Sequence, residues 1–328
     1  MTPFPLRILS TGKALPERLL ISESLDASHG FKKGYTFAQS GVRSRHFATE
    51  KDTQSGLGAR ALHDALARAE MSPASIDLLI SACGVPEQAL PSTACAIAGA
   101  AGLSAGTPAF DVNASCLSFL MALQVASGLL ATGAYRRIAI VSCDLASRGV
   151  DWDEPEASLI FGDGAACAIV DKGYGLTGIE AFKFETYPEG REFCEIRAGG
   201  TLRNTRTGIT DKDFLFRMNG KAVFKLASKL MPAFLADLEA QAGCKMRDIT
   251  TVVPHQASHL GMAHLIKRLD LPEERVVNIY ETHGNQVAAS IPTALHEAFV
   301  TGRANPGQRL LLIGTAAGLS IGGMVLRV

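Results

Sequence analysis

Along this chain, short runs dominated by Val, Ile and Leu alternate with longer stretches in which apolar residues recur every three or four positions. The first kind reads as buried strands and the second as amphipathic helices, an alternation typical of α/β proteins. The runs predict strands at 77–83 (DLLISAC), 108–112 (PAFDV), 137–143 (RIAIVSC), 165–170 (AACAIV), 248–253 (DITTVV), 275–279 (RVVNI), 309–314 (RLLLIG) and 321–328 (IGGMVLRV). Helical periodicity covers 57–70, 116–133 and 222–242.

These elements come in the same order twice. Helix 57–70 leads through MSPASID into the strand at 77, and helix 222–242 leads through CKMRDIT into the strand at 248. Later, ATG (131–133) precedes RRIAIVS and VTG (300–302) precedes QRLLLIG. Counting back 17 residues from Gly133 reaches Cys116, and 17 from Gly302 reaches Asn285. An internal duplication follows, and it puts Cys116 and Asn285 at equivalent strand-to-helix turns. The glycine-rich DKGYGLTG (171–178) marks the boundary, giving halves at 1–172 and 173–328. Residues 186–213 are polar and aperiodic, and are expected to form an excursion loop over the surface.

Composition narrows the function classes. Thirty-two basic residues balance thirty-two acidic ones, so no broad field favours nucleic acid or an anionic membrane. No apolar run approaches a bilayer span, and the N-terminus lacks the long apolar stretch of a cleaved signal. Seven scattered cysteines without C-x-x-C suit neither a disulfide framework nor a zinc site, and fit a reducing cytoplasm. His255, His259 and His264 have no acidic or cysteine ligand at metal spacing, and no dinucleotide or P-loop pattern occurs. Neither a metal nor an organic cofactor is expected. GLSIG (318–322) mimics a serine-hydrolase elbow, but no helix can follow it.

Cysteine is commonly a small buried hydrophobe, which suits Cys83, Cys95, Cys143 and Cys167 on apolar segments. Cys116 instead stands where a helix begins, and the positive end of the helix dipole favours thiolate over thiol. His255 follows an apolar strand through a proline (VVPHQAS), and Asn285 follows Gly284 before a helix of small residues. A core histidine and an N-cap asparagine are the ordinary readings of each alone. The ordered set Cys…His…Asn at three strand-to-helix turns points to catalysis.

SGVRSRHFA (40–48), PSTACAIAGAAGL (91–103), FDVNASC (110–116), IFGDGAACAIV (160–170), MNGKAVFK (218–225), VPHQAS (253–258) and HGNQVAAS (283–290) stand in that order. With them the chain resembles the β-ketoacyl-acyl carrier protein synthase III family over essentially its whole length. The resemblance implies a five-layered α-β-α-β-α thiolase-like fold of two duplicated halves, a homodimer. It also implies a decarboxylative Claisen condensation of an acyl-CoA with malonyl-acyl carrier protein, which starts fatty-acid synthesis. Cys116 would accept the acyl group, and His255 and Asn285 would stabilise the malonyl enolate. The backbone N–H groups of Cys116 and Ala317 would form the oxyanion hole. Tyr35 stands where the family stacks on the coenzyme A adenine, and Leu90 where a residue lines the partner subunit's acyl pocket. Lys225, Lys267 and Arg268 match carrier-protein docking positions.

Some positions depart from the family pattern. Leu90 replaces an aromatic residue, Tyr35 a tryptophan, Gln39 and Leu260 arginines, and DWDEPEAS (151–158) lacks the arginine of the adenine clamp. These departures raise a secondary-metabolite condensing enzyme, or an acyltransferase with an unusual acyl donor, as the alternative. An inactive partner subunit would have lost Cys116.

Overall fold

The apolar runs pair into two sheets built on one plan. A computed structural model describes residues 4–328. Its first sheet comprises β1 (Arg7–Ala14), β2 (Leu78–Ser81), β3 (Ala109–Asp111), β4 (Arg137–Asp144) and β5 (Gly164–Asp171), in the order β1-β5-β4-β2-β3. The second comprises β6 (Gly178–Thr186), β7 (Thr251–Pro254), β8 (Arg309–Ala316) and β9 (Ser320–Arg327), in the order β6-β9-β8-β7. In each, two neighbouring strands are parallel (β4 with β2, β8 with β7) and two more follow antiparallel on one side (β5 and β1, β9 and β6), while the first sheet adds β3, parallel to β2, on the other. Residues 172–177 carry the chain from the first sheet to the second.

Helices complete the layers. α1 (Gln54–Arg68) and α2 (Thr93–Ala100) cover the outer face of the first sheet. α3 (Ser118–Thr132) and α6 (Ser290–Val300) lie between the sheets, and α4 (Gly220–Ala242) and α5 (His259–Leu269) cover the outer face of the second. Side chains alternate across each strand. Ile138 and Ile140 of β4 face the central helices while Ala139 and Val141 face α1; Leu310 and Leu312 of β8 point inward while Leu311 and Ile313 point to α4 and α5. Burial on both faces explains why these strands read as continuous apolar runs rather than alternating ones. α3 is capped by left-handed Gly133 at φ 75°, and left-handed Gly302 at φ 69° follows the Thr301 cap of α6, the turn chemistry of the repeated threonine–glycine pairs.

Four expectations are corrected. RVVNI (275–279) forms no strand: only Val276 bridges, to Val252. β7 ends at Pro254, which has no N–H to extend the ladder. The Gln256 side chain takes over instead, donating to Val277 O at 3.1 Å and accepting from Ile279 N at 3.1 Å. Residues 186–213 do not merely cross the surface, because Cys194–Glu195 pair with Arg217–Met218 and turn inward. Cys95 is exposed on α2 rather than buried. Finally, Ser115–Thr132 is long and apolar enough to cross a membrane by length and composition; its apolar side chains pack between the two sheets.

Candidate active site

Three turns at strand ends converge on one cavity of about 1710 Å³. The first follows β3 and is closed by its own side chains. Asn113 Oδ1 accepts from Ser115 N at 3.0 Å, and Ser118 Oγ accepts from Ala114 N at 2.9 Å. Ser118 Oγ also donates to Cys83 O at 3.1 Å, tying the turn to the end of β2. Ser115 is thereby held at φ 54°, a left-handed conformation uncommon outside glycine. It presents Cys116 two residues before α3 begins.

The second turn follows β7. His255 is 6% exposed, and its backbone N–H donates to Ile313 O at 2.8 Å. The ring lies against β8 at Gly314, where a Cβ would come within 2.6 Å of His255 Cβ. Only a glycine admits the ring there. α5 starts later, at His259, with Ser258 accepting from Gly261 N at 3.1 Å as its cap. His255 therefore stands on a loop between strand and helix.

The third turn carries Asn285, also 6% exposed. It is pinned to the first half: Asn285 N donates to Ile160 O at 2.8 Å, and Gly162 N to Asn285 O at 3.1 Å. Its side chain does what an N-cap does, accepting from Val287 N at 2.8 Å through Oδ1. That bond settles the orientation of the amide, since only the oxygen can accept. Nδ2 then donates to Ala257 O at 3.2 Å, which leaves its second hydrogen for the cavity.

Electrostatics at the site is governed by burial. Cys116 has its thiol pushed up to about 11, first by burial, with the nearby Asp144 carboxylate adding to the rise. Ser115 Oγ at 3.9 Å and the backbone N–H groups of Ala317 and of Cys116 itself favour the thiolate but do not outweigh desolvation. A helix dipole acting alone would lower the thiol. The sulfur sits before the helix and in an apolar wall, and there desolvation dominates. Burial also lowers His255 to about 4, so at neutral pH the imidazole is uncharged. Its Nδ1 has no hydrogen-bond partner among the described residues. A neutral thiol and a neutral imidazole on the wall of one cavity are thus the resting arrangement, and any reaction of the sulfur must be accompanied by loss of the thiol proton.

Cys116, His255, Asn285, Ala317, Tyr35 and Arg268 all line this cavity. Lys225 and Lys267 are exposed nearby on α4 and α5 and do not line it. Leu90 is 86% exposed and faces away from the cavity of its own chain, which Gln88 and Ala89 line instead. Tyr35 is half-buried, its ring 4.9 Å from that of Phe31. Phe31 stacks on His29, and His29 on Trp152 at 4.4 Å, so an aromatic series joins Tyr35 to the acidic DWDEPEAS segment. Cys194 and Asp144 are among the residues of the cavity wall that the sequence does not single out. Cys194 was hidden in a stretch read as surface loop. Asp144 had a signal in VSCD, an acidic residue closing an otherwise apolar strand.

Residues 110–188 match the family profile described as 3-oxoacyl-[acyl-carrier-protein] synthase III, and residues 240–328 match the profile of its C-terminal part. A β-ketoacyl-[acyl-carrier-protein] synthase III of Bordetella petrii is 34% identical over 326 residues, 98% of this chain and 97% of the relative. The chain belongs to the β-ketoacyl-acyl carrier protein synthase III family. A synthase III of Syntrophomonas wolfei is 31% identical over 98% of this chain and 97% of its own length. The crystal structure of a synthase III from Thermus thermophilus superposes with a TM-score of 0.89 at 30% identity, covering 98% of both chains. Membership makes this synthase III chain a transferase of the ketosynthase type on the thiolase-like fold.

Proposed function

We propose that this chain condenses an acyl-CoA primer with malonyl-acyl carrier protein through an acyl thioester on Cys116. The observation that carries the reading is the convergence of the Cys116, His255 and Asn285 turns on one cavity, with two backbone N–H groups at the sulfur. In the first half-reaction Cys116 Sγ attacks the acyl-CoA carbonyl. The C–S bond to coenzyme A breaks, and the thiol proton ends on the departing sulfur. In the second, malonyl thioester loses CO₂. Charge gathers on its carbonyl oxygen, where His255 Nε2–H and the free Asn285 Nδ2–H donate. The resulting carbanion attacks the acyl-Cys116 carbonyl, whose oxygen faces the N–H groups of Cys116 and Ala317. Collapse breaks the C–S bond, frees 3-oxoacyl-carrier protein and returns Cys116 to its thiol after protonation. No metal or organic cofactor takes part.

The remaining assignments rest on placement. Arg268 at the cavity mouth and exposed Lys225 and Lys267 form a basic rim suited to an acidic carrier protein. Tyr35 offers a ring to the coenzyme A adenine. β3 is an edge strand of the first sheet and carries exposed Phe110, and Leu90 is exposed as well, which suits pairing with a second copy. Seven free cysteines suit a cytoplasmic setting.

Intact-mass measurement after exposure to a panel of acyl-CoAs, followed by peptide mapping, tests the core of the reading. One acyl group on Cys116, discharged by malonyl-acyl carrier protein as 3-oxoacyl product, is expected. Exposed Cys95 and cavity-lining Cys194 are the competitors. A thioester on either, with Cys116 free, would falsify the assignment.

A further inference from the structure

The nucleophile and Asn285 come from different halves of the chain, so their mutual register depends on whatever fastens one turn to the other. We infer that Asp144, at the end of β4, is the positioning residue that does this. Its side chain is 2% exposed. Oδ1 accepts from Gly84 N at 2.9 Å and Val85 N at 3.1 Å, both just beyond β2 in the first half. Oδ2 accepts from Ala288 N at 3.1 Å, three residues after Asn285 in the second half. One carboxylate thus receives both halves.

The segment it holds is strained. Val287 lies at φ 52°, a left-handed conformation that a β-branched residue adopts only under constraint. Two consequences follow from that twist. Val287 N–H reaches back to Asn285 Oδ1 at 2.8 Å and orients the amide, and Ala288 N–H turns toward Asp144. Gly84 packs on the same spot, since a Cβ there would come within 2.5 Å of Val287 Cγ1. The turn of Cys116 also meets this segment, through Ser118 Oγ to Cys83 O at 3.1 Å and Asn113 Nδ2 to Gly84 O at 3.2 Å, but it is closed within itself by Asn113 Oδ1 on Ser115 N and Ser118 Oγ on Ala114 N. Loss of Asp144 should therefore disturb Asn285 more than Cys116.

The inference rests on the condensing reading of the site, and its test separates the two half-reactions. In Asp144→Asn, malonyl-acyl carrier protein decarboxylation should fall by about 10- to 100-fold in kcat, with KM changed by less than about threefold. Self-acylation from acyl-CoA should not fall by more than about threefold, because removing the Asp144 charge relieves one of the effects that raise the Cys116 thiol. Glycine takes the left-handed conformation without cost, so Val287→Gly added to Asp144→Asn should restore at least about fivefold of the lost rate, a coupling read from the double-mutant cycle. If Asp144→Asn does not fold, Gly84→Ala carries the same test. It keeps the carboxylate, presses a methyl on Val287, and should give the same split, relieved by Val287→Gly. Equal losses in both half-reactions, no loss in either, or an additive effect of Val287→Gly overturns the positioning role. A wild-type chain that performs neither half-reaction overturns the functional reading and this inference with it, and is distinguished by needing no substitution to be seen.

Discussion

The turn that carries Cys116 and the turn that carries Asn285 stand at equivalent places in the two halves, yet they are held in opposite ways. The first is closed by Asn113 and Ser118 from its own half. The second is fastened to the other half, through Ile160 O, Gly162 N, the Asp163 carbonyl that accepts from Gln286 Nε2 at 3.0 Å, and Asp144. Strand register makes Ala316 of β8 the counterpart of Asp144 of β4, so the second half has no such carboxylate to offer in return. Duplication supplied two similar turns. One turn is closed within its own half, and the other depends on docking between the halves.

The comparison breaks if the two turns do not divide the chemistry. Cys116→Ala should abolish self-acylation while retaining malonyl-carrier-protein decarboxylation. His255→Ala and Asn285→Ala should still self-acylate but lose about 10²- to 10³-fold in decarboxylation, as the removal of one preorganised donor does. Acyl loading followed by mass and release of CO₂ from labelled malonyl thioester are the two readouts. His255→Ala that fails to acylate while decarboxylating normally would reverse the roles.

A second test concerns burial. The folded value of His255 is depressed to about 4 from an ordinary 6.5, so the unfolded chain takes up a proton first as the pH falls. The stability intact above pH 6.5 is then lost as the pH falls toward 4. Asp144 works against this, since burial raises it to about 7 and makes the folded state the better proton acceptor in the same window. Comparison with His255→Gln isolates the histidine. Wild type should lose about 2 kcal/mol relative to the variant between pH 6.5 and pH 5, measured by urea unfolding at both values. A constant difference would mean that water reaches the ring and that the site is less dry than its lining implies.

How far the sequence could reveal this arrangement depended on which force set each feature. Strands buried on both faces announced themselves as apolar runs, and the matched Gly133 and Gly302 fixed the register of the duplication. β1 stayed hidden because Arg7, Ser10, Thr11 and Lys13 interrupt its apolar pattern, although it pairs with β5 along most of its length. RVVNI misled because strand propensity cannot reveal that Gln256 has taken the neighbouring ladder positions. The thiol of Cys116 misled for a related reason: the helix dipole can be read locally, whereas the apolar wall that outweighs it is assembled from distant segments. Asp144 acts through bonds to residues 60 and 144 positions away, which no local pattern encodes.

The carrier-protein rim sharpens the comparison at the surface. Lys225 and Lys267 are exposed and off the cavity wall, whereas Arg268 lines it. Charge reversal at the two lysines should lower kcat/KM for malonyl-carrier protein by about tenfold at low salt and flatten its salt dependence. Self-acylation from a small acyl-CoA should hold. Reversal at Arg268 should harm both half-reactions. If the lysine variants also lose self-acylation, the rim is not a docking surface.

The smallest expected effect belongs to Leu90, and it asks whether the cavity is completed by one chain or two. At 86% exposure this side chain cannot shape the cavity of its own chain, so any influence on primer choice must be exerted on a second copy. A leucine is smaller and more flexible than an aromatic ring, and in that position it leaves room for added methylenes. Each one buried contributes about 0.8 kcal/mol, or about fourfold in specificity. Wild type should therefore prefer primers longer or more branched than acetyl, and Leu90→Phe should move the preference toward acetyl-CoA by at least about fourfold without touching decarboxylation. Specificity constants for acetyl-, butyryl- and octanoyl-CoA in both proteins decide it. A wild type that strongly prefers acetyl-CoA, or a ratio unmoved by the ring, would mean that Leu90 reaches no acyl chain and that each cavity is closed by its own half-turns alone.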